Sequence, residues 1–142
     1  MKLPFIALAA IAAALVSAPA QAQEEIVTTQ LDSAAVLMAG QGFTPADDAV
    51  RGSLDQGEDE EFELELEAGM QYFVVGVCDG DCSDMDLVLT DSDGDEVEAD
   101  REMDDVPMLA IEGQSGTFVL SVQMATCSAN PCYYGVRVFS KR

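Results

Sequence analysis

The chain of 142 residues contains no histidine and no tryptophan, and it has six lysines and arginines against 27 aspartates and glutamates. Without histidine, Ser-His-Asp and Cys-His nucleophilic sites and histidine-based zinc sites are excluded. The scarcity of bases excludes charge-driven binding to nucleic acid or to an anionic membrane. No glycine-rich loop leads from a strand into a helix, so no phosphate cradle is expected. Acids are plentiful, and they are unevenly spread. Between Asp47 and Asp105 lie 23 of them with only Arg51 and Arg101, whereas from Gly113 onward there are none, beside Arg137, Lys141 and Arg142. Such a chain suits cations or basic protein surfaces. The plainer reading is a solvated acidic surface that keeps the protein soluble, in a salty habitat for instance.

The N-terminus has the three parts of a signal peptide over residues 1–22: a positive Lys2, an apolar run from Leu3 to Val16, and the small-x-small site Ala20-Gln-Ala22. Cleavage is expected after Ala22. The run is too short and too early for a good membrane span, and no second long apolar run follows. No cysteine follows the cleavage site, so a lipid anchor is not expected. The mature chain is expected in the periplasm or the medium, where its four cysteines form two disulfides.

Four cysteines allow three pairings. Gly80 permits a turn between Cys78 and Cys82, and Asn130-Pro131 is a turn signal between Cys127 and Cys132, which favours two local bridges. Each would stabilise by about 2 kcal/mol on a chain-entropy account; a crossed pairing such as Cys78–Cys127 would give about 4, so energy alone does not decide. A metal held by the cysteines is disfavoured by their spacing and by the lack of histidine.

Residues 23–57 read as a helix and a lead-in strand, and 58–142 as a β-domain. Val27, Leu31, Ala34, Ala35 and Met38 fall on one helical face, so a helix is expected over 26–40, ended by Gly40 and Gly42. Thr44 to Asp48 reads as a turn. The period then changes. Phe62, Leu64 and Leu66 alternate with glutamates, as in a strand with one wet face. Met70–Cys78 is nearly continuously apolar, as a central strand would be, and Gly76 within it marks a bulge or a close backbone contact. Further strands are expected at 49–54, 86–90, 96–99, 107–112, 117–125 and 133–139. About eight short strands separated by turns give a mainly β fold, a β-sandwich or jelly roll.

Three motifs in order carry a resemblance. Leu66-Glu-Ala-Gly69-Met-Gln-Tyr72, then Asp84-Met-Asp86-Leu87-Val-Leu89-Thr-Asp91-Ser-Asp-Gly94, then Ser115-Gly116-Thr-Phe118-Val-Leu-Ser-Val122 together resemble the bacterial pre-peptidase C-terminal domain family over roughly residues 58–139. The resemblance implies a jelly-roll-like sandwich, usually appended to secreted peptidases; some members bind extracellular polymers and some bind calcium. No peptidase is expected in this chain, so the appended role is not expected in its usual form, and its two cysteine pairs are not general to the family.

Carboxylates are the remaining chemistry. Asp79, Asp81, Asp84 and Asp86 crowd the turn between the first two cysteines and the strand after it, and calcium favours such oxygen ligands. A second acidic turn holds Asp91, Asp93 and Asp95. Its spacing to Glu102 imitates an EF-hand, but Glu96 stands where that loop needs glycine, and Asp93-Gly94 between two strands is a hairpin signal. Paired acids also permit a carboxylate-dependent hydrolase, although 27 acids make any pair uninformative. The leading expectation is a non-catalytic exported binding or accessory module for an extracellular or periplasmic protein or polymer. A calcium-stabilised structural protein stands second.

Overall fold

A computed structural model describes residues 20–142. The signal-peptide expectation therefore lies outside the described residues, except for Ala20 to Ala22, which open a helix. That helix, α1 (Ala20–Gly40), begins six residues before the expected start at residue 26. Gln21 to Glu25 are mostly good helix formers and need no apolar face to join it. Val27, Leu31 and Met38 are buried, and Ala34 and Ala35 pack beside them. The helix stops in a Schellman motif. Gly42 takes φ +84°, its N–H donates to Ala39, and the Phe43 N–H donates to Met38 across 3.0 Å. Phe43 and Met38, the two ends of that motif, share one apolar cluster.

Nine strands follow: β1 (Thr44–Pro45), β2 (Val50–Leu54), β3 (Asp59–Leu66), β4 (Gln71–Cys78), β5 (Cys82–Thr90), β6 (Glu96–Asp100), β7 (Met108–Ile111), β8 (Gly116–Cys127) and β9 (Cys132–Lys141). They form two antiparallel sheets. The first has the order β1-β9-β4-β7, with β2 lying beyond β1 along the same edge of β9. The second has the order β3-β8-β5-β6. From β2 to β9 the two orders, 2-9-4-7 and 3-8-5-6, are those of a jelly roll, in which nearly every connection crosses from one sheet to the other. Residues 44–54 are part of this sandwich, since β1 and β2 both pair with β9.

The core lies between the sheets. Leu64 and Leu66 of β3, Val74 of β4, Leu87 and Leu89 of β5, Leu120 and Val122 of β8, and Tyr134 and Val136 of β9 are all buried in one cluster. Each such aliphatic side chain stabilises by about 1.5–3 kcal/mol when removed from water. Gly76 fulfils the close-contact expectation: a Cβ there would lie 2.7 Å from Met85 Cε and 3.1 Å from Pro107 Cγ.

A second, smaller cluster lies on the outer face of the first sheet, under α1. Val27 and Leu31 press onto β9 so closely that a Cβ on Gly135 would meet Leu31 Cδ1 at 2.7 Å and Val27 Cγ1 at 2.8 Å. The helix covers β9 and β4. The outer face of the second sheet is instead acidic. Asp59, Glu61, Glu63 and Glu65 of β3 are exposed there, opposite Gln123, Ser121, Val119 and Thr117 of β8.

Two strands differ from the expectation. Thr44-Pro45 is a strand and not only a turn, because its partners on β9, Ser140 and Phe139, are remote in sequence. β5 begins at Cys82 and not at Asp86; register shifts on either side of Asp84 interrupt the alternation that would reveal it.

Candidate functional site

The cysteines define one end of the sandwich. Cys78 closes β4 in the first sheet and Cys82 opens β5 in the second; Cys127 closes β8 in the second sheet and Cys132 opens β9 in the first. The pairs are Cys78–Cys82 and Cys127–Cys132, each with Cα atoms 5.9 Å apart. Each bridge therefore ties one sheet to the other. Cys82 and Cys127 are register partners on β5 and β8, so the two bridges lie side by side.

The loops at this end are clasped by hydrogen bonds. Asp79 is the only buried acid among the described residues. Its Oδ2 accepts from the Tyr133 N–H across 2.8 Å, its Oδ1 accepts from the Asp81 N–H across 3.0 Å, and its own N–H donates to the Tyr133 carbonyl. The Asp81 carbonyl accepts from both the N–H and the hydroxyl of Ser128, in the other cysteine loop. The Gln23 amide of α1 donates to Asp81 Oδ2 across 3.2 Å. Gln56 joins from the β2–β3 connection, donating its N–H to Asn130 Oδ1 and accepting from the Cys127 N–H. Tyr134, close by, crosses the core to donate its hydroxyl to Glu60 of β3. Burial first, and that glutamate second, push the Tyr134 phenol well above its ordinary range, so it stays protonated.

The four acids Asp79, Asp81, Asp84 and Asp86 take different places in the structure. Asp79 faces inward and caps backbone N–H groups. Asp81 stays in the loop. Asp84 and Asp86 lie on β5 beyond it. There they meet acids from another connection: Asp104 raises the Asp84 carboxyl after burial has done so first. For Asp86 burial again comes first, then Asp84, with Arg101 opposing, then Asp100 and Asp104. Both carboxyl groups are held above their ordinary range. Each also has a buried Oδ1 with no hydrogen-bond donor. Asp100 and Asp104 come from the β6–β7 region, and their spacing in the sequence gives no sign of this; only the fold brings them near β5. Among the described residues, no three carboxylates or cysteines converge closely enough to form a ready metal site.

The second acidic turn is the β5–β6 hairpin. Asp91 Oδ1 accepts from the N–H groups of Asp93 and Asp95, each across 2.9 Å, and Gly94 takes φ +85°. Asp91 thus shapes a turn, as an aspartate commonly does. Arg101 pairs with Glu96 through two hydrogen bonds at the end of β6.

What this end of the molecule offers chemically is a rigid, acid-bearing rim. The disulfides suit a non-reducing, extracytoplasmic environment. Among the described residues, no helix is long and apolar enough to cross a membrane. No family model matches the chain, and no curated protein matches it.

Proposed function

We propose that the protein is a non-catalytic binding or accessory module that works in the periplasm or outside the cell. The observation that carries this reading is the clasp. Loops from three connections are fixed to one another by two disulfides and by Asp79, Asp81 and Gln56, and they are presented at one end of a jelly roll. Rigid loops on a sandwich are a common way to present a binding surface. The N-terminal signal pattern and the resemblance to pre-peptidase C-terminal domains support an exported accessory role. The lack of histidine and the use of Asp79 and Asp91 as turn acceptors speak against acid/base chemistry at these turns. The test is a hydrolysis assay of pure protein on peptide and glycan substrates. No turnover is expected; turnover that a single acid substitution abolishes would overturn the reading and favour a carboxylate-dependent hydrolase.

A second reading, a calcium-stabilised structural protein, is favoured by the two buried, donor-free oxygens of Asp84 and Asp86. A divalent cation would satisfy both and relieve the repulsion from Asp104 and Asp100. Thermal melting with calcium and then with chelator decides it: a higher Tm in calcium supports the ion, and equal values remove it.

A further inference from the structure

The outer face of the first sheet is wider than the helix that covers it. α1 packs on β9 and β4, and β7 lies beyond β4 at the sheet edge. On β7, Met108 and Ala110 point outward and are exposed. Between α1 and β7 runs an apolar groove of about 260 Å³. Val75 and Val77 form its floor, Ser33 and Leu37 one wall, and Val106 and Met108 the other. An adjoining depression on the surface of α1 shares Thr29 and Gln30 with it and reaches Ile26. Four of the six large apolar side chains exposed among the described residues, Ile26, Leu37, Val106 and Met108, lie along this stripe.

We propose that this groove receives an amphipathic helix of a partner protein, one with an apolar stripe and lysines or arginines on its flanks. The proposal rests on the binding-module reading and names the partner class. Shape selects a helix. The groove lies on a sheet face, with Val75 and Val77 of β4 beneath it, beside an existing helix, where a second helix would extend the same layer. Charge selects a basic one. No charged side chain forms the groove walls. Glu102 and Asp105 precede β7 in the chain, Glu112 follows it, and Glu25 stands at the far end of the stripe. The whole chain has a formal charge of −21. The same charge opposes a second copy of this chain in the groove, and it repels anionic lipid.

The test uses the purified protein and a fluorescent 18-residue peptide designed as a helix with a leucine stripe and lysine flanks. Its scrambled sequence and a version with glutamate flanks serve as controls. The helix is expected to bind in the micromolar range, and both controls at least ten-fold more weakly. Leu37→Lys and Met108→Lys place a cation in the groove at residues 68% and 48% exposed, so the fold tolerates them. Each is expected to weaken binding at least ten-fold. Val36→Lys, at a residue 73% exposed outside the groove, is expected to change it less than two-fold. Absence of binding, or binding indifferent to Leu37→Lys and Met108→Lys, overturns the proposal. So does a dimer in sedimentation that Leu37→Lys dissolves, since the occupant is then a second copy. Mass spectrometry of the peptide after incubation separates the two levels of failure: an intact, unbound peptide sinks the groove alone, and a cleaved one sinks the binding-module reading.

Discussion

Asp79 and Tyr133 hold each other's backbone: the Asp79 N–H donates to the Tyr133 carbonyl across 2.9 Å, and the Tyr133 N–H donates to Asp79 Oδ2 across 2.8 Å. One acid thereby joins the first cysteine loop to the start of β9, 54 residues away in the chain. Asp79→Ala leaves the Tyr133 and Asp81 N–H groups without their acceptor. It is expected to cost roughly 2–3 kcal/mol in urea unfolding, and Asp79→Asn, which keeps one acceptor oxygen, about half of that. A loss below about 0.5 kcal/mol would show that the clasp contributes little.

The disulfide pattern is open to direct chemistry. Non-reducing peptide mapping is expected to find Cys78 joined to Cys82 and Cys127 joined to Cys132. A peptide linking the two loops contradicts the local pairing. Replacing Cys78 and Cys82 together by serine is expected to lower stability by about 2 kcal/mol, the loop-closure contribution of so short a ring.

Gly135 measures how firmly α1 is seated. A methyl group there meets Leu31 and Val27 at under 3 Å. Gly135→Ala is expected to destabilise by about 1–3 kcal/mol through overpacking. The loss should concentrate in the helix, so hydrogen exchange over residues 20–40 is expected to accelerate while β3, β5 and β8 stay protected. Uniform acceleration across all strands would mean that the helix and the sandwich unfold as one unit.

Asp84 and Asp86 give a pH signature with a definite sign. Burial is the larger cause and neighbouring carboxylates the next in raising both from an ordinary 3.8. A carboxyl whose folded-state pKa is raised favours folding in its protonated form. That contribution is fully present below the unfolded value and is lost as pH rises through the folded one. Asp84→Asn and Asp86→Asn are therefore expected to raise Tm at pH 7 in chelator, by roughly 2 °C or more. The advantage should vanish toward pH 3. In excess calcium the order reverses if the pair holds the ion, because each variant removes a ligand. A variant less stable than the parent at pH 7 in chelator contradicts the unfavourable placement of these carboxylates.

Much of the fold was legible because it follows local patterns. The alternation of Phe62, Leu64 and Leu66 with glutamates marks β3 and its wet face, and both glutamate-bearing and leucine-bearing sides lie as the period requires. Val27, Leu31 and Met38 mark the buried side of α1. The turn residues Gly80 and Asn130-Pro131 point to the pairs Cys78–Cys82 and Cys127–Cys132. What escaped depends on partners remote in sequence. β1 exists only through Ser140 and Phe139. The start of β5 is hidden by irregular register around Asp84. Asp79 looked like a candidate ligand because burial leaves no mark on an aspartate in so acidic a sequence. Asp100 and Asp104 come near Asp86 only because the β6–β7 connection approaches β5 in the fold.

The bridged loops also bear on survival outside the cell. Gly80 and Ser128 to Pro131 are exposed. A protease that cuts the backbone at Gly80, or between Ser128 and Pro131, leaves its two products still joined through Cys78–Cys82 or Cys127–Cys132. A single nick there opens a ring and releases no fragment, so one cleavage in this exposed rim does not divide the chain.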